Sequence, residues 1–163
     1  GDATEFTELE IGRVLDDTLQ LLEPQLRGNQ IEIVRGYDPD APPVIGNSGK
    51  LQQVFTNLLL NARDAIPFGG SIKISTASSD DDSLTIEIAD SGIGIAPENV
   101  AKIYDPFYTT KDPGRGTGLG LAIVARTVHE CGGTVWVDRA REGGAVFKVF
   151  LPIASETDAA AHR

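Results

Sequence analysis

The chain has 163 residues and a formal charge of −10, enough for one compact domain and the wrong sign for a surface built on nucleic-acid phosphates. Hydrophobic residues make up 40% and charged residues 23%, which excludes a long disordered chain. No apolar run approaches the roughly 20 residues of a membrane span, and the single cysteine, Cys131, excludes an internal disulfide or a cysteine-built zinc site and points to a reducing compartment.

Residues 1–6 are expected to fray. Thr7 and Glu10 have capping-box spacing, so a helix is predicted from Thr7 to about Arg27, with Leu9, Val14, Leu15, Leu19, Leu22 and Leu26 on one stripe and Gly28-Asn29 as its stop. Ile31–Val34 alternates as a short strand, and the proline-rich stretch Asp38–Gly46 reads as a loop. A second helix is predicted over Leu51–Ile66, ended by Pro67. Strands Ser71–Ala77 and Leu84–Ala89 follow, joined by a solvated turn with the acidic run Asp80-Asp81-Asp82. Asp90–Gly120 has little regular pattern beyond a short helix near Pro97–Lys102, and loops of that length inside a domain are usually functional. A third helix from Leu119 to Cys131 leads to the strand Thr134–Asp138, a turn at Arg141–Gly144, the strand Ala145–Leu151 and a polar tail. Helices combined with hairpin-linked strands make the class α+β, with one sheet covered on one face.

On the second helix, Leu51, Val54, Phe55, Leu58, Leu59 and Ala62 form an apolar face, while Gln53, Asn57, Asn61 and Asp64 share another arc. Asparagine is a poor interior helix former, so two of them one turn apart ask for a reason. A solvated face is one; neutral amide oxygens aimed at magnesium, which keeps waters and phosphate oxygens in its shell, is the other. Downstream, Asp90 ends a strand and is followed by Ser91-Gly92-Ile93-Gly94-Ile95. A strand-end acid beside glycines can accept from an adenine amine while the backbone approaches the ring, although a turn with a solvent-facing acid fits equally.

Gly114-Arg115-Gly116-Thr117-Gly118-Leu119-Gly120 runs straight into the third helix, where backbone amides and the helix dipole favour phosphate; a flexible loop is the alternative. The stretch lacks the Gly-Lys-Ser/Thr ending of a P-loop, and Pro97 occupies the third glycine position of a dinucleotide fingerprint, so neither of those motifs applies. Between the two glycine stretches lies Tyr104-Asp105-Pro106-Phe107-Tyr108-Thr109-Thr110-Lys111, whose aromatics could anchor a lid and bring Lys111 to phosphate.

Taken in order, these segments resemble the catalytic ATP-binding domain of two-component sensor histidine kinases, within the superfamily that includes gyrase, mismatch-repair and heat-shock chaperone ATPases. The N box is Leu51–Ala65, the G1 box Asp90–Ile95, the F box Asp105–Lys111 and the G2 box Gly116–Leu121. The resemblance implies a two-layer α/β sandwich, the Bergerat fold, with a mixed, mostly antiparallel sheet and helices on one face. It implies that Asp90 reads the adenine amine beside Gly92, Ile93, Gly94 and Ile95, and that Asn61, with Asn57 near it, holds magnesium. Gly116, Thr117, Gly118, Leu119 and Gly120 would line the phosphates in an ATP lid, with Lys111 and Arg115 as cationic partners and Phe107, Thr110 and Asp64 in the binding set. Asn61, Lys111 and Arg115 are the residues expected to act in phosphoryl transfer.

Two departures from the common pattern follow. Asp64 and Ala65 stand where many members carry lysine and an aromatic, and in this the sequence resembles the nitrogen-regulatory subgroup, which tolerates such residues. Asn57 stands where related ATPases carry a water-activating glutamate, and since an amide cannot take the proton, net hydrolysis is expected to be slow.

The implied function is donation of the γ-phosphate of Mg·ATP to a histidine on a separate dimerisation domain, for relay to a response-regulator receiver domain in signal transduction. Residues 1–30 are expected to be the linker and helix that follow that dimerisation domain, 31–153 the catalytic domain and 154–163 a polar tail. The expected parent is a cytoplasmic or membrane-anchored homodimer, and the fragment a cytoplasmic monomer that cannot autophosphorylate alone. Neither His129 nor His162 is expected to be the phosphoacceptor. A self-contained ATPase, an anti-sigma-type serine kinase and a non-catalytic nucleotide sensor are the alternatives within the resemblance.

Overall fold

A computed structural model describes residues 6–66, 69–79, 82–91, 119–139 and 144–154. The chain opens with a short strand, β1 (Thr7–Leu9), then α1 (Ile11–Gly28), β2 (Ile31–Gly36), β3 (Val44–Gly46), α2 (Ser48–Ala65), β4 (Gly70–Ser78), β5 (Ser83–Asp90), α3 (Leu119–Glu130), β6 (Thr134–Arg139) and β7 (Ala145–Pro152). Five strands form one sheet in the order β2-β4-β5-β7-β6, and β1 pairs separately with β3. Only β2 and β4 run parallel; the other neighbours are antiparallel. The parallel pair needs a crossover, which α2 supplies.

Alternation sets the covered face. Along β5, Leu84, Ile86, Ile88 and Asp90 are buried while the residues between them are half-exposed; β7 repeats the pattern with Ala145, Phe147, Val149 and Leu151. These side chains join one core with Leu15 and Leu19 of α1, Phe55, Leu58 and Leu59 of α2, and Val124 and Val128 of α3. Among the described residues no element covers the opposite sheet face: Lys148 reaches Glu87 at 3.7 Å across it, and Trp136 there is 63% exposed. The fold is thus a two-layer sandwich with a mixed sheet, as the motif resemblance implies.

The N-terminus corrects the sequence reading. Thr7 is not a helix cap: it lies in β1 opposite Gly46, and Glu10 stands at the N-cap position of α1 without a side-chain capping bond. A β-branched residue that finds a strand partner gains ladder bonds that a cap cannot match. The same pairing makes Val44–Gly46 a strand rather than loop. α2 begins earlier than predicted because the Asn47 side chain accepts from the Lys50 amide at 2.9 Å. α1 buries Ile11, Val14, Leu15, Leu19, Leu22 and Leu26 in the same core as α2, α3 and the sheet. No helix among the described residues is long and apolar enough to cross a membrane.

Candidate functional site

β5 is the central strand, and its end carries Asp90 into a buried position, 4% exposed. Asp90 is in phase with Leu84, Ile86 and Ile88, so the pleat turns it towards the helix layer and away from solvent. The frame around it is backbone. On one side Ser91 donates its amide to Ser71 at 3.1 Å, and its hydroxyl accepts from the Ser71 amide at 2.9 Å. On the other side the Ala145 amide, at the start of β7, donates to Asp90 Oδ1 at 3.3 Å.

The C-terminal end of α2 comes to this same end of the sheet. A Cβ on Gly70 would lie 2.6 Å from Ser91 Oγ and 2.9 Å from a methyl of Ile66, the C-cap of α2. The helix end, the start of β4 and the end of β5 therefore touch. One face of α2 is fully used by the core, with Leu51, Val54, Phe55, Leu58, Leu59 and Ala62 all buried. Gln53 on the other arc is exposed, whereas Asn57, Asn61 and Asp64 are half-buried. The arc is thus not an evenly solvated face; it is covered towards the end of the helix that meets β4 and β5. Arg63 holds Asp64 by two hydrogen bonds, at 2.8 and 3.1 Å.

α3 packs along α2. Glu130, its last residue, pairs with Lys50 in the first turn of α2 at 3.6 Å. Leu119 lies 11 residues earlier, about 16 Å at 1.5 Å per residue, which carries the start of α3 towards the stretch of α2 that holds Asn61. A helix N-terminus presents unpaired amides and the positive end of a dipole. A buried acid and the C-terminal end of the helix that carries the two asparagines are thereby brought to one end of the sandwich.

That donor set fits a magnesium ion that shares its shell with water and phosphate, since one or two neutral amide oxygens suffice. It does not fit a cage made wholly of protein: among the described residues no group of three His, Cys, Asp or Glu could hold a metal.

Gly92, Ile93, Gly94, Ile95, Phe107, Thr110, Lys111, Arg115, Gly116, Thr117 and Gly118 lie outside the described residues, as do the short helix expected near Pro97–Lys102 and the tail with His162. Leu119 and Gly120 are described as the first residues of α3. His129 is exposed near the far end of that helix. Sequence reasoning missed the Ser71–Ser91 clasp and the approach of Gly144 and Ala145 to Asp90, which it read as a turn and a strand start.

A separate groove of about 480 Å3 lies between α1 and the edge strand β2, with Leu19, Leu26, Ile31 and Ile33 in its lining. Its charges are spent on each other, Asp16 on Arg35 at 2.9 Å and Glu23 on Arg27, and no sequence motif reaches it.

Residues 46–155 match the family model described as histidine kinase-, DNA gyrase B-, and HSP90-like ATPase. The sensor kinase CckA of Brucella abortus is 37% identical over 88% of this chain, which spans only 17% of that relative's length. The solved catalytic domain of histidine kinase ThkA superposes with a TM-score of 0.83 at 30% identity, covering 93% of this chain and 100% of that one. ThkA in complex with the response regulator protein TrrA matches with a TM-score of 0.79 at 29% identity, over 91% of this chain and 42% of that one.

Proposed function

The chain belongs to the histidine kinase-, DNA gyrase B-, and HSP90-like ATPase family, as a catalytic domain of the histidine kinase type, and we propose that it donates the γ-phosphate of Mg·ATP to a histidine on a separate dimerisation domain of its parent. The observation that supports this reading is the burial of Asp90 at the end of β5, where the C-terminal end of the asparagine-bearing α2 meets the sheet.

Asp90, buried at the strand end, accepts from the adenine amine, a bond whose charge makes it stronger than a neutral one. Asn61 and Asn57 would hold magnesium through their amide oxygens, an ion that would supply charge neutralisation for the phosphates. The first amides of α3, with Gly116, Thr117, Gly118, Leu119 and Gly120, hold the phosphates. Gly92, Ile93, Gly94 and Ile95 flank the base, Phe107, Thr110 and Asp64 complete the pocket, and Lys111 and Arg115 balance the charge that spreads over the transferred group. Catalysis rests on positioning and electrostatics, with no protein base at Asn57 to activate water. The bond from Pγ to the ADP oxygen breaks as a bond to an imidazole nitrogen forms.

Residues 1–30 would follow the histidine-bearing domain, and α1, docked on the core, would tie the two together. The response regulator bound to ThkA makes a receiver domain the downstream partner expected here. A homodimeric parent with a cytoplasmic catalytic domain completes the reading.

The test mixes the chain with γ-labelled ATP, magnesium and a purified histidine-bearing dimerisation domain. Label that is stable to base and released by acid, on the partner and not on this chain, is the expected result. Label on serine, or rapid release of phosphate to water without transfer, would replace the proposal with the anti-sigma-type kinase or the self-contained ATPase.

A further inference from the structure

Gly144 is buried and has φ +83, and a Cβ there would collide with the backbone oxygen of Asp90 and sit 2.8 Å from its Oδ1. Glycine is therefore required twice over, by backbone conformation and by the space that Asp90 fills. The next residue, Ala145, puts its amide on Asp90 Oδ1. Oδ1 thus faces a fixed donor from β7, and a donor can be satisfied only by an acceptor.

On the reading that Asp90 accepts from a purine amine, we infer that Gly144 and Ala145 are positioning residues that set base selectivity, holding Oδ1 to β7 and presenting Oδ2 to the substituent at purine position 6. Each carboxylate oxygen can accept two hydrogen bonds, so Oδ2 takes the amine alongside any other partner it has. The arrangement has a consequence that a freely rotating acid would not. In Asp90→Asn the Ala145 amide still demands an oxygen, so the side chain keeps Oδ1 on β7 and turns its NH2 to the ligand. A 6-amino purine then meets a donor where it needs an acceptor, whereas a 6-oxo purine finds its complement.

The experiment compares ATP with inosine triphosphate by calorimetry, with magnesium, on the 163-residue chain. The wild type is expected to favour ATP by about tenfold or more, the scale of one charge-assisted hydrogen bond. Asp90→Asn, close to isosteric, is expected to reverse the order so that inosine triphosphate binds better. Gly144→Ala is expected to bring the ratio towards one. Gly132→Ala is the control: it has φ +80 and its nearest neighbour is Pro152 at 3.4 Å, so it carries the same backbone strain and should keep the wild-type ratio. A merely structural role for Gly144 would weaken both nucleotides alike and leave their ratio unchanged, which overturns the inference. So does an Asp90→Asn chain that still prefers ATP, a result that decides the matter even if Gly144→Ala does not fold. A wild-type chain that binds neither nucleotide, or binds both equally, overturns the adenine reading of Asp90 and this inference with it.

Discussion

The end of β5 and the asparagine face of α2 belong to one candidate site but are built in opposite ways. Asp90 is 4% exposed and framed by main-chain groups from both neighbouring strands, so the carboxylate that would read a base is also the one that closes the sheet. Asn57 and Asn61 stand on a helix whose hold on the protein comes from its other face, where Phe55, Leu58 and Leu59 are fully buried. At the strand end, structure and function share the same groups; on the helix they are divided between two faces. Substitutions should therefore cost stability and binding together in the first region and separately in the second.

The largest effect is expected from the helix's core face. Phe55→Ala should cost about 3–5 kcal/mol of unfolding free energy by denaturant titration, as a large cavity in a packed core does; a loss below about 1 kcal/mol would show that this face does not anchor α2. At the strand end, Asp90→Ala leaves the Ala145 amide without its acceptor. It should cost about 1–3 kcal/mol of stability and lower ATP affinity at least about tenfold, and loss of binding with full stability would break the comparison from that side. Asn61→Ala should do the reverse of Phe55→Ala. Alanine suits a helix better than asparagine by up to about 0.7 kcal/mol, which offsets about one lost hydrogen bond, so stability should change by less than about 1 kcal/mol, while the strengthening of ATP binding by magnesium falls about tenfold, the effect of roughly one lost charge-assisted contact.

The architecture was legible where periodicity is strong. Leu84-Thr-Ile-Glu-Ile alternates, and Leu51 to Ala62 repeats at helical spacing, and both elements fold as those patterns predict. The sequence leaves the burial of Asp90 open, since a solvent-facing acid fits it equally, and the structure places it in step with buried Leu84, Ile86 and Ile88. The three-residue strands β1 and β3 were not legible, because each is too short to show a period and exists through its partner. The closeness of Gly144 to Asp90 was hidden for a related reason: it depends on the register of β7 against β5, a non-local fact that no local spacing records. Likewise the pairing of α3 with α2 through Lys50 and Glu130 joins residues 80 apart in the chain.

The smallest effect lies away from both regions and serves as their control. The Tyr37 hydroxyl donates to Asp16 at 3.0 Å, and burial first, then that bond, raise the tyrosine above its ordinary value of 10. The fold favours the protonated phenol, so its contribution is fully present below pH 10 and is lost as the pH climbs beyond it. Tyr37→Phe should cost about 0.5 kcal/mol at neutral pH and flatten the alkaline decline in stability seen in the wild type, with ATP binding unchanged.

The most direct test of the shared site is a single titration of Mg·ATP followed by NMR. The backbone amides of Ser91 and Ala145 report the sheet end, and the side-chain amide of Asn61 reports the helix. Both sets should shift along one binding curve with one dissociation constant. Movement of only one set, or two curves with different constants, would mean that the acid and the asparagines serve separate surfaces.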